Sequence, residues 1–165
     1  MSVKLFAGLQ LPGRRRLTPV ALSVIIFFTL VASYLIAWDR TKGTQKRLDR
    51  AIMLSFRGHY EESLVQFDKV LSRWPRAKMA WTGKGLCLLY LGRYEEALAS
   101  YEKALEIDPS YLLGLQGKGM SYDRLGRYDE AIQCFRKIQE IDPAVLDSQF
   151  HIDRINQKRN DIKQF

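Results

Sequence analysis

The side chains able to do chemistry are few and poorly arranged for it. Cys87 and Cys134 have no CxxC spacing and no histidine at ligand spacing, so neither a metal site nor a redox pair is indicated. They are expected to be small buried apolar side chains, and two unpaired thiols point to a reducing compartment. His59 falls in a turn and His151 on a C-terminal helix, both expected to face solvent. The adjacent carboxylates Glu95 and Glu96 splay apart on a helix, so they suit a helix dipole rather than acid–base work. The Gly83/Gly85 and Gly117/Gly119 pairs lie inside helical patterns and follow no strand, which is poor ground for a phosphate loop. No catalytic residue, metal, cofactor or small-molecule substrate is therefore expected. Arg50, Lys84 and Lys118 recur at one pattern position. They could hold an acidic ligand, or lay their stems along apolar surface with the charge in water.

The elements behind these residues follow a 34-residue period. Gly92 recurs as Gly126, Tyr94 as Tyr128, Ala97 as Ala131 and Pro109 as Pro143, and one period earlier stand Gly58, Tyr60, Ser63 and Pro75. A fixed period of this size marks a repeat protein. Three helix pairs are predicted, over 44–57 and 60–72, 78–91 and 94–106, and 112–125 and 128–140. The glycines suit a left-handed position after each first helix. Glu61-Glu62, Glu95-Glu96 and Asp129-Glu130 open each second helix, where acids complement the dipole. Asp108-Pro109 and Asp142-Pro143 stop the later ones, because a residue before proline avoids the helical region. Residues 144–165 read as an amphipathic capping helix, which shields the apolar end a stack leaves open.

The formal charge of the 165-residue chain is +8, but residues 77–143 sum to −1 and the excess lies at 1–17 and 39–76. A nucleic-acid face would place cations along the folded domain, so no nucleic-acid partner is expected. Between the basic segments, Thr18–Trp38 runs for 21 residues without a charge, a length matching a bilayer core of roughly 30 Å. The sequence thus predicts a short basic tail (1–17), a transmembrane helix (18–38) and a juxtamembrane linker (39–43). Repeats follow over 44–77, 78–111 and 112–143. Arg14, Arg15 and Arg16 flank the span on one side; Arg40, Lys42, Lys46 and Arg47 flank it on the other. These counts nearly balance, so the positive-inside rule sets no orientation.

The repeats resemble the tetratricopeptide repeat family, whose pattern is W-x2-L-G-x2-Y, then A-x3-F-x2-A and a closing proline. Trp81, Gly85, Ala97, Tyr101, Ala104 and Pro109 carry it in the second repeat, and Leu115, Gly119, Tyr122, Ala131, Phe135, Ile138 and Pro143 in the third. The first is worn, with Arg47, Ala51, Leu54, Ser63, Phe67, Val70 and Pro75. The resemblance implies an all-α fold: three helix-turn-helix repeats and a cap in a right-handed α-solenoid, preceded here by the transmembrane helix. It also implies a concave groove lined by first-helix positions. Those hold Leu48, Ile52 and Phe56, then Met79, Leu86, Leu89 and Tyr90, then Leu113, Gln116, Met120 and Arg124, with Gly83 and Gly117 beside them. Chaperone-binding members carry Lys, Asn and Arg there to grip a carboxylate; this groove is apolar instead.

An apolar groove suits an amphipathic helix, unless the cap helix covers it. The expected function is a non-enzymatic adaptor or assembly factor, binding an apolar helical segment of a membrane-complex subunit. Anchor and three repeats are similar in layout to photosystem I assembly proteins of cyanobacteria and plastids. A permanent structural subunit, with its transmembrane helix inside the interface, is the alternative. The unpaired thiols and the family's habit place the repeats on the cytoplasmic or stromal side of a single-pass protein.

Overall fold

The computed structural model describes residues 19–145 and 147–163, without the side chains at 19–22, 24, 36–40 and 163. The basic tail with Arg14, Arg15 and Arg16, and Thr18 of the expected span, lie outside the described residues, as does the Arg40 side chain. Seven helices run through the described chain: α1 Pro19–Phe56, α2 Tyr60–Leu71, α3 Lys78–Tyr90, α4 Tyr94–Ile107, α5 Leu112–Arg124, α6 Tyr128–Ile141 and α7 Asp147–Lys163. The chain divides into two compact units between Thr41 and Lys42.

In the first unit, Ile25, Ile26, Phe27, Phe28, Leu30, Tyr34 and Leu35 are exposed. The Thr29 and Ser33 hydroxyls donate to the Ile26 and Leu30 carbonyls, each at 2.8 Å. Among the described residues no helix is long and apolar enough to cross a membrane, so the span expected over 18–38 is not shown. The linker expected over 39–43 is helical, as is everything from Pro19 to Phe56. Gly43 is the weakest helix former in 39–43, and one glycine costs a helix only about 1 kcal/mol.

The second unit holds the repeats as pairs α1 (from Lys42) with α2, α3 with α4, and α5 with α6, followed by α7. Gly58, Gly92 and Gly126 have φ of 82°, 76° and 75°, the left-handed region glycine enters without steric cost. After Gly92, the Arg93 amide bonds back to the Leu88 carbonyl at 2.9 Å, closing the turn that returns the chain antiparallel. Each second helix then buries one face. Phe67, Tyr101 and Phe135, one period apart, are 0 %, 1 % and 0 % exposed, and full burial of a ring of this size stabilises by about 2 kcal/mol or more.

Glycines make room for those rings. A Cβ on Gly85 would meet the Tyr101 ring at 2.9 Å, and one on Gly119 the Phe135 ring at 2.9 Å, so both pairs close tightly, as their place in the pattern predicts. The next repeat closes in from the other side. A Cβ on Gly83 would fall 2.3 Å from Phe67, and one on Gly117 2.2 Å from Tyr101. Gly83 and Gly117, expected along the groove, therefore seat the aromatic ring of the preceding repeat instead. In the worn first repeat, Ser63 takes the place of Ala97 and Ala131. Its buried hydroxyl donates to the Ala51 carbonyl at 2.7 Å, which satisfies the polar atom the core would otherwise strand.

α7 continues the period as the first helix of a fourth repeat. His151 occupies the register of Gly83 and Gly117, and its ring stacks on Phe135 with centroids 4.7 Å apart and planes at 7°. Ile152 and Ile155 are buried in the same cluster as Ile138 and Phe135. On the side a further helix would cover, Gln149, Asp153 and Asn156 replace Leu115, Gly119 and Tyr122. These polar side chains end the stack.

Candidate functional site: the inner helix layer

α3 touches α5 directly as well as its own partner α4, so the first helices of successive repeats form an inner layer with the second helices outside. The groove residues can be placed on that layer. Phe56, Met79, Leu86, Tyr90 and Leu113 present their side chains to solvent, and Ile52, Gln116 and Met120 are half-buried with one flank open. Leu48 and Leu89 differ from expectation. Each is only 7 % exposed and packs in the core cluster with Leu64, Phe67 and Tyr101, because the neighbouring helix overhangs it. They hold the inner layer from behind and do not line an open surface. Tyr90 is held in place by Tyr60, whose ring stacks on it at 4.9 Å and 6°.

Towards α7 the face changes character. Asp123, 6 % exposed, receives Arg154 at 3.0 Å and Lys158 at 2.8 Å. Arg154 and Lys158 stand one period after Met120 and Arg124. The cap helix thus extends the inner layer, and it does not fold across the open apolar residues of the first two repeats. Phe150, one period after Gln116, adds another exposed ring. Phe150, Arg154 and Lys158 are the inner-face residues that sequence reasoning missed. The signal was present as 34-residue spacing, but helix position alone gave no reason to continue it beyond Pro143.

The recurrent cations are not an open row. Lys84 pairs with Asp68 at 2.7 Å and Lys118 with Glu102 at 2.9 Å, each acid lying on the second helix of the preceding repeat. Both ammonium groups also sit 5.7 Å from an aromatic centroid, Trp81 or Tyr122. They join repeats, with their stems on apolar surface. Arg50 begins the series, where the described residues offer no preceding second helix.

His151 is the other correction. It faces inward, its side chain 12 % exposed, with Asp147 3.7 Å from Nε2 and its buried Nδ1 without a hydrogen-bond partner. Burial, helped by the nearby Arg154 charge, lowers its pKa below the ordinary histidine value. A stacked ring on an apolar face explains the residue without chemistry. Cys87 and Cys134 are buried, and burial raises both thiols above their ordinary pKa, which keeps them protonated and unreactive. Among the described residues no cluster of three His, Cys, Asp or Glu could hold a metal ion.

Paired helices, an inner layer and a polar terminal helix define a helical-repeat solenoid. Residues 79–111 and 113–144 match the family model for the tetratricopeptide repeat, and the chain carries tetratricopeptide repeats. Solved structures of the same fold include the first such domain of human RPAP3, at 16% identity and a TM-score of 0.70 over 73% of this chain and 95% of that one. The first domain of Spaghetti, solved with an HSP90 peptide, is 16% identical, with a TM-score of 0.68 over 71% and 93%. MamA from Desulfovibrio magneticus RS-1 is 26% identical, with a TM-score of 0.66 over 73% of this chain and 68% of that one. No curated protein matches the sequence. Repeats of this kind are typically protein-interaction scaffolds rather than enzymes.

Proposed function

We propose that this chain is a membrane-anchored adaptor or assembly factor whose inner face takes an apolar helical segment from a subunit of a membrane complex. One observation carries the reading: Phe56 on α1, Met79, Leu86 and Tyr90 on α3, and Leu113 on α5, all at inner-layer positions of the repeat, are each exposed. Large apolar side chains gathered in this way mark interaction sites, and methionines adapt to varied partners. The Spaghetti domain and the second human RPAP3 domain were solved with HSP90 and HSP70 peptides, and peptide capture on this layer is the property the likeness suggests here. The chemistry of the ligand differs, since the open positions in the first two repeats are apolar where a carboxylate grip needs cations. The anchor is supported by the uncharged run 18–38 and by the exposed apolar band from Ile25 to Leu35. Its polar hydroxyls bond within the helix, as a hydrocarbon setting requires. The same reading places the repeats on the cytoplasmic or stromal side, which protease access in sealed vesicles would decide.

The test is recovery of partners from mild detergent extracts of native membranes. The wild-type chain is expected to recover a membrane-complex subunit, and Met79→Asp/Leu86→Asp to lose it with an unchanged unfolding midpoint, as both sites are open to water. Equal recovery by both would overturn the reading. Exchange of residues 18–38 for an unrelated anchor separates the roles: an adaptor keeps its partner and a built-in subunit loses it.

A further inference from the structure

The first repeat carries a basic edge that the groove does not use. Because α1 and α2 are joined by a three-residue turn and pack together through Ser63 and Ala51, the Lys42 end of α1 and the Leu71 end of α2 share one edge of the second unit. The loop 72–77 crosses that edge. Lys46 and Arg47 on α1, and Arg73 and Arg76 in the loop, are all exposed, and among the described residues none has a carboxylate within ion-pair distance. The later corners on this edge differ. Asp108 and Asp142 stand there, and Asp108 is neutralised by Lys78, which lowers its pKa. The later corners, 108–111 and 142–145, hold no cation, whereas the first holds Arg73 and Arg76.

The loop is also stiff. The Trp74 amide bonds to the Val70 carbonyl at 2.8 Å, Trp74 packs on the core, and the Trp81 indole N–H donates to the Pro75 carbonyl at 2.8 Å. The two arginines thus flank a fixed Trp-Pro step. In sequence, Lys42 follows the uncharged run 18–38 by four residues. Basic clusters directly after an apolar span associate with anionic lipid, and tryptophan favours the same interfacial depth.

We propose that the edge formed by Lys46, Arg47, Arg73 and Arg76 lies on an anionic lipid surface. Its proximity to the bilayer rests on the anchor of the proposed function; its charge selectivity does not. A flat surface fits helix ends and a loop better than a duplex does, which would need cations continued along the later repeats.

The probe is the full chain with Ser72→Cys carrying an environment-sensitive fluorophore, since both native thiols are buried. It is reconstituted into neutral phosphatidylcholine vesicles, or into vesicles also containing phosphatidylglycerol, each with headgroup-spin-labelled lipid. Quenching at low salt is expected to be several-fold stronger with the anionic lipid and to fall to the neutral value at high salt. Arg73→Gln/Arg76→Gln cuts the difference sharply, at about fivefold in membrane affinity for each cation lost, and Arg73→Lys/Arg76→Lys retains most of it. Equal quenching in the two lipids overturns the proposal, as does quenching relieved by an acidic peptide but unaffected by phosphatidylglycerol. A chain that leaves neutral vesicles yet binds anionic ones reversibly with salt would sink the anchor and uphold this edge. A chain held in both after a salt wash, with equal quenching, would do the reverse.

Discussion

Gly117 and Tyr101 show how one contact sets the spacing of the stack. A methyl at Gly117 would sit 2.2 Å from the Tyr101 ring, and the ring, enclosed on both sides, cannot retreat. Gly117→Ala is expected to destabilise by about 2–3 kcal/mol in denaturant unfolding, and Tyr101→Leu in the same chain to recover part of that loss. Gly58→Ala, with open space around it but φ of 82°, should cost only about 1 kcal/mol. His151 makes a pH prediction. Its folded pKa lies below the ordinary value, so the unfolded chain takes up its proton first as pH falls. The stability is complete above the unfolded pKa and is lost as pH falls towards the folded one. Arg154, Asp147 and Asp123 are the charged groups that act on the ring, and of these Arg154 adds to the effect of burial. His151→Phe preserves the stack and should flatten the fall in unfolding midpoint between about pH 7.5 and 5.5; an unchanged fall would show that another group is responsible. At this scale the sequence was legible where a residue has one neighbour, as at Gly85 and Gly119. It was not legible where a second helix overhangs, as at Leu48 and Leu89, because register fixes a direction on one helix and says nothing of its neighbour's reach.

Among the elements, α7 is the clearest case of a helix recognised but misread. Its apolar residues announced a cap, yet its role as the first helix of a fourth repeat was hidden, since histidine stands where the register has glycine. Once Phe135 is seen to stack on His151, the positions of Arg154 and Lys158 beside Asp123 follow. Asp123 is almost enclosed while its two partners reach water, so the carboxylate anchors the cap more than either cation does. Asp123→Ala is expected to cost about 1–3 kcal/mol and to raise amide exchange across 147–163 while α3 and α4 stay protected. Uniform loss of protection would mean the cap has no separate stability. α1 shows the converse difficulty. The change from apolar to charged residues near Asp39 suggested a linker, but helix formation depends on the backbone, and the small penalties of Thr41 and Gly43 are too weak to break it.

Over the whole second unit, polarity is graded. The inner layer is apolar from Phe56 to Leu113 and cationic where α7 meets Asp123, the outer ends of α7 are polar, and a basic edge flanks the first repeat. The period made the stack legible, and the types at its inner positions made the apolar face legible. What could not be read was the pairing of Lys84 and Lys118 with acids one helix back, which turns an apparent anion site into cross-repeat braces. The central claim is that the inner face binds an apolar helical segment, and site-directed photo-crosslinking in native membranes tests it most directly. A photoreactive side chain at Met79, Leu86 or Leu113 is expected to yield one common adduct with a membrane-complex subunit, mapping to an apolar segment, while the same group at Gln133 on the outer layer yields none. Adducts from Gln133 with none from the three inner positions would contradict the account.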